Sequence, residues 1–149
     1  MRHLVNPSKS LERKTKGISD LRYVWNSSKN SLRDNLKAIR VYQWIKNLLL
    51  FVPLITSHLI GSFNLVTRVM ESFILFSLVA SAGYLINDLL DVTSDRGHPR
   101  KRFRPLASGK LSIPNGIILA IILLSAGLFF AFKLSILFFI ILLSYFLLS

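Results

Sequence analysis

Apolar residues in this chain gather into long uncharged runs, without the alternation of a half-buried strand or the single stripe of a surface helix. Met1 to about Asn35 carries no sustained apolar period and is punctuated by Pro7, Gly17 and Asn26-Ser27-Ser28. Residues 1–39 therefore read as a mobile basic tail, with an interfacial helix near its end. A first apolar run extends from about Gln43 to Ile60, with Lys46 and Asn47 near its start and Pro53 inside it. A second covers about Val69 to Leu90, and its central Ala80-Ser81-Ala82-Gly83 would let helices approach closely in lipid. The third, Leu111 to Phe132, is free of charge, with Pro114 where a first-turn proline is tolerated. The fourth, Leu134 to Ser149, would cover only roughly 24 Å of a hydrocarbon core roughly 30 Å thick, so the pattern implies a protein that continues past Ser149. The expected fold is all-α: a polytopic transmembrane helix bundle, with residues 40–149 supplying about four spans of a larger one.

Charge sets the topology. Of 19 Lys and Arg, eleven lie before or at the start of the first run and six between the second and third, leaving only Arg68 and Lys133 on the other side. That bias predicts a cytoplasmic N-terminus and a cytoplasmic Asp91–Lys110 loop. The net charge of +12 is thus topogenic, and no nucleic acid partner is expected, because the cations flank the spans and do not form one soluble basic face. With no cysteine, thiolate chemistry and disulfides are excluded. The opening residues lack the apolar core of a secretory signal, while their Arg- and Ser-rich, acid-poor character is compatible with an organellar transit peptide.

Candidate chemistry concentrates where the second run ends, at Asn87, Asp88, Asp91 and Asp95. At roughly 100° per residue Asp88, Asp91 and Asp95 fall near 0°, 300° and 340°, one stripe if the helix continues that far. Three carboxylates at a helix C-terminus repel one another and oppose the macrodipole. A hard divalent cation resolves that conflict, and Mg2+ completes its shell with water and substrate phosphates. The competing reading is a solvated helix end whose aspartates pair with the arginines that follow.

Those arginines belong to Arg96-Gly97-His98-Pro99-Arg100-Lys101-Arg102-Phe103-Arg104-Pro105-Leu106-Ala107-Ser108-Gly109-Lys110. Positive-inside topology alone explains the charge, but two prolines and a Ser-Gly turn suggest a shaped loop. Arg96, Lys101 and Arg104 are the residues expected to hold an anionic leaving group. His98, next to Pro99, reads as a loop hydrogen-bonding residue before it reads as a general base. At the start of the first run, Arg40, Gln43 and Asn47 share a polar stripe with Lys46 on the neighbouring arc. Interface anchoring by Trp44 and Lys46 is the bland account, which an amide as deep as Asn47 fits poorly. The sharper one has this stripe facing the aspartates and binding diphosphate or sugar phosphate.

Asn87-Asp88-x-x-Asp91-x-x-x-Asp95-Arg96, followed by Arg104-Pro105-Leu106-Ala107-Ser108-Gly109, resembles the first aspartate-rich motif of UbiA-type intramembrane prenyltransferases. His98-Pro99-x-Lys101 and Gln43-Trp44-x-Lys46-Asn47 look most like the decaprenyl-phosphate phosphoribosyltransferase branch. The resemblance covers about Arg40 to the end. It implies a bundle of about nine transmembrane helices in a bacterial cytoplasmic membrane, with a second aspartate motif on a later helix. It also implies Asp88, Asp91 and Asp95 as catalytic Mg2+ ligands, and Arg40, Gln43, Lys46, Asn47, Asn87, Arg96, Lys101 and Arg104 around the diphosphate. The implied partners are phosphoribosyl diphosphate and a polyprenyl phosphate, or in the wider family a polyprenyl diphosphate with an aromatic or haem acceptor. A different class stays open beside it: a non-catalytic four-span membrane protein whose basic tail docks on anionic lipid or a partner.

Overall fold

A computed structural model describes residues 2–5, 21–25 and 32–149. In the tail, β1 (Arg2–Val5) and β2 (Leu21–Trp25) pair in parallel. The rest of residues 1–31 lies outside the described residues, and with it the reading of that stretch as mobile. The remainder is helical: α1 (Leu32–Ala38), a 3-10 helix (Val41–Phe51), α2 (Val52–Thr56), α3 (Phe63–Leu90), α4 (Val92–Gly97), a 3-10 turn (Lys101–Phe103), α5 (Ile113–Leu134) and α6 (Ile136–Leu148).

The long helix α3 is the frame. Its 28 residues, with no proline and no charge between Glu71 and Asp88, extend about 42 Å, more than the roughly 30 Å hydrocarbon core. It starts six residues before the expected Val69, because Asn64, Thr67 and Arg68 can continue the helix beyond the apolar zone. Antiparallel to it runs α5, started by Ser112, whose Oγ accepts from the Asn115 N–H at 3.4 Å. The stripe Gly116, Ala120, Leu123, Gly127 and Ala131 is the buried side of α5. Gly127 is required there: a Cβ at that position would lie 2.6 Å from Val79 Cγ2 and 3.4 Å from the Leu75 carbonyl oxygen.

Two apolar clusters fill the bundle. Leu75, Val79, Ala131 and Leu142 join α3, α5 and α6, while Ala38, Leu85, Val92, Leu106, Leu111 and Ala120 close the end that carries the aspartates. Exposed faces remain strongly apolar, as at Ile117, Ile118, Ile121 and Ile122 of α5. By length and composition α3 and α5 can each cross a membrane, and the bent pair Leu32–Ala38 and Val41–Thr56 makes a third candidate. The chain is an integral membrane protein with an all-α bundle.

The fourth run is a 13-residue helix, about 20 Å long, separated from α5 by the single extended residue Ser135. One expectation changes. The first run is not one α-helix. The chain bends by 50° after α1, passes through Arg40 in the left-handed region (φ 53°), and enters the run as an eleven-residue 3-10 helix. Pro53 has no N–H for Leu49, whose carbonyl oxygen instead accepts from Val52.

Candidate active site

The side of α3 facing the 3-10 helix is polar at Ser77, Ser81 and Asp88, with Tyr84 between, a spacing of one helical turn each time. Asn47 Nδ2 donates to Ser77 Oγ and Trp44 Nε1 donates to Ser81 Oγ, both at 2.9 Å. The match is geometric: three residues of 3-10 helix and four of α-helix both rise about 6 Å. Ser81 Oγ in turn donates to the Ile39 carbonyl oxygen at 2.6 Å. This bracket holds the backbone next to Arg40. Arg40 then spends its unfavourable φ on reach: its guanidinium lies 5.0 Å over the Tyr84 ring, and Nη2 donates to Asp88 Oδ1 at 2.6 Å.

From the opposite direction comes Arg104. Its Nη1 donates to Asp88 Oδ1 at 2.9 Å and to Asp95 Oδ2 at 2.7 Å, so one nitrogen joins carboxylates two helical turns apart. The Lys101 Nζ is 3.8 Å from Asp95 Oδ1, too far for a hydrogen bond. That oxygen is sealed from solvent with no hydrogen-bond partner among the described residues. Both carboxylates are buried, with side-chain exposures of 5% for Asp88 and 1% for Asp95. Burial of that kind requires paired cations.

The loop delivers Arg104 through its own packing. Leu106, Ala107 and Leu111 are buried, Gly109 turns the chain at φ 76°, and Arg96 Nε donates to the Ala107 carbonyl oxygen at 3.3 Å. His98 Nδ1 accepts from the Arg100 and Lys101 N–H groups at 3.2 and 3.3 Å, capping the 3-10 turn. That is the loop hydrogen-bonding role its position suggests.

Asp88, Asp95, Arg40, Arg104 and Lys101 therefore come together. Asp91 lies at the junction of α3 and α4, exposed and in no ion pair among the described residues, and Asn87 is also exposed. Of the polar stripe only Arg40 reaches the aspartates, because the 3-10 winding turns Asn47 to Ser77, leaves Lys46 exposed and pairs Gln43 Nε2 with Tyr42 Oη at 3.3 Å. Arg96 donates to the loop backbone. Sequence reasoning missed Ser77, Ser81 and Tyr84, although their spacing back from Asp88 is a readable helical stripe.

Among the described residues no three acidic or histidine side chains gather as a metal cluster. Two carboxylates do aim at one point, now held by Arg104 Nη1, and Asp95 Oδ1 has an unused lone-pair face. Such a donor set fits a hard cation that takes one or two carboxylates and completes its shell elsewhere.

The profile of the UbiA prenyltransferase family matches residues 48–149, and the chain belongs to that family. Over 106 residues it is 42% identical to a decaprenyl-phosphate phosphoribosyltransferase of Corynebacterium glutamicum, covering 68% of this chain and 32% of the relative. It is 40% identical over 97 residues to the protein y4nM of Sinorhizobium fredii, covering 65% of this chain and 19% of that protein. A 4-hydroxybenzoate octaprenyltransferase of Legionella pneumophila is 50% identical over 56 residues, covering 38% of this chain and 20% of the relative. The chain thus spans between about a fifth and a third of the length of these relatives.

Proposed function

We propose that this chain supplies the first half of a cytoplasm-facing site that transfers phosphoribose from phosphoribosyl diphosphate to a polyprenyl phosphate. The observation that carries the reading is the convergence of Asp88, Asp95, Arg40, Arg104 and Lys101 at the end of α3. The match to a phosphoribosyltransferase, over nearly twice the length of the octaprenyltransferase match, favours this branch.

The chemistry is displacement at C1 of the ribose. The bond from C1 to the diphosphate oxygen breaks, that oxygen leaves with the electron pair, and a phosphate oxygen of the lipid bonds to C1. Arg40, Lys101 and Arg104 hold the diphosphate and stabilise the charge that grows on it. Asp88, Asp91 and Asp95 would hold Mg2+, which supplies further charge neutralisation at the leaving group. Asp91 is in no ion pair among the described residues, whereas Asp88 and Asp95 also align Arg40 and Arg104.

The 4-hydroxybenzoate octaprenyltransferase match favours a second reading, in which the electrophile is an allylic polyprenyl carbon and the acceptor an aromatic ring. One assay separates them. Membranes carrying a complete protein that includes this half, given Mg2+, polyprenyl phosphate and phosphoribosyl diphosphate, should release pyrophosphate and form a phosphoribosylated lipid, and Asp91→Asn in it should abolish this without changing membrane insertion. Turnover only with a polyprenyl diphosphate and an aromatic acceptor would move the assignment to the second reading, and full turnover by Asp91→Asn would remove the metal role of that residue.

A further inference from the structure

At the opposite end of α3 from Asp88, two adjoining clefts lie between α3 and α5. One, of about 510 Å3, is lined by Asn64, Thr67, Arg68, Glu71 and Lys133 among others, and the other, of about 370 Å3, by Ile74, Leu75, Phe130 and Leu134. Glu71, Lys133 and Leu134 line both. The polarity is therefore graded along the helix. Measured from Asp88 at about 1.5 Å per residue, Glu71 is about 26 Å away, Arg68 about 30 Å and Asn64 about 36 Å. With Asp88 at one boundary of a hydrocarbon core roughly 30 Å thick, Arg68 and Glu71 fall at the other boundary, Asn64 and Thr67 in the headgroup layer, and Ile74 and Phe130 in the acyl layer.

Among the described residues Arg68 and Glu71 form no ion pair and Lys133 faces only the Phe129 ring, at 5.8 Å. Two cations and one carboxylate thus stand at headgroup level over a cleft lined with apolar side chains. We propose that this cleft binds one glycerophospholipid of the phosphatidylethanolamine type. Arg68 and Lys133 take the phosphodiester oxygens. Glu71 accepts from the primary ammonium, which a quaternary choline cannot offer and a glycerol headgroup lacks. One acyl chain lies along Ile74, Leu75 and Phe130. Nothing in this assignment depends on the transferase reading, since the two sites are separated by the length of the span.

The test is native mass spectrometry of the full 149-residue chain in detergent micelles with equimolar phosphatidylethanolamine, phosphatidylcholine and phosphatidylglycerol. One phosphatidylethanolamine per chain should survive activation, in about tenfold excess over either competitor, the size of one charge-assisted hydrogen bond. Lys133→Ala and Arg68→Gln should each lower retention of all three lipids, whereas Glu71→Gln should keep lipid bound and erase the preference over choline. All three side chains are exposed, so helicity by circular dichroism should be unchanged. Equal retention of the three lipids, insensitivity to these substitutions, or a cleft filled by a second copy of the chain would each overturn the proposal.

Discussion

Two of the contacts that α3 makes along its length are built from different materials. Toward the 3-10 helix it presents Ser77, Ser81 and Asp88 and is held by hydrogen bonds and ion pairs. Toward α5 it presents Leu75 and Val79 against Gly127 and Ala131, where close approach replaces directional bonds. The difference teaches which contact sets a position and which supplies cohesion. The glycine seam sets how closely α3 and α5 approach, whereas the hydrogen bonds of asparagine, tryptophan and arginine to Ser77, Ser81 and Asp88 at matched rises fix a register. The polar contact is the one that ends in the candidate active site.

Substitutions should separate the two. Arg104→Met leaves two buried carboxylates short of a cation, and its cost should be the largest, about 3–5 kcal/mol in a detergent-unfolding or steric-trapping measurement. Next comes Gly127→Ala, which must push Val79 or the helix axis aside, at about 1–3 kcal/mol by the same measurement. Ser81→Ala removes both the acceptor of Trp44 and the donor to Ile39, for about 1–2 kcal/mol, and indole fluorescence should report a changed Trp44 environment. Asp91→Asn should stay within about 0.5 kcal/mol of the parent, because that carboxylate is exposed and in no ion pair among the described residues. A large loss from Asp91→Asn, or none from Arg104→Met, would erase the distinction between the carboxylates that hold the end of α3 and the one that faces outward.

Much of this was legible in the sequence, and the exceptions have physical causes. Uncharged runs locate α3 and α5 because lipid admits few alternatives. Their ends were misplaced by up to six residues at Phe63, since a helix need not stop where the hydrocarbon does. The aspartate motif was readable, as was its proximity to basic residues. Which arginine reaches it was not: Arg96 and Arg104 are chemically the same, and only the burial of Leu106 and Ala107 and the turn at Gly109 decide that Arg104 points back to Asp88 and Asp95. The polar stripe of the first run failed for a similar reason. Over the seven residues from Arg40 to Asn47 a period of 3.0 in place of 3.6 turns the face by about 140°, and no residue type in 40 to 47 signals the tighter winding.

That winding has a consequence in length. Val41, which follows Arg40, and Asn47 are six residues apart, about 12 Å along a 3-10 helix but about 9 Å along an α-helix. With Asn47 pinned at Ser77, the slender coil extends the start of the span about 3 Å further toward Asp88, eleven residues up the neighbouring rod. A shorter side chain at position 40, or a relaxed coil, would fall short of that carboxylate, so the span acts as a ruler whose pitch fixes where its terminal cation lands.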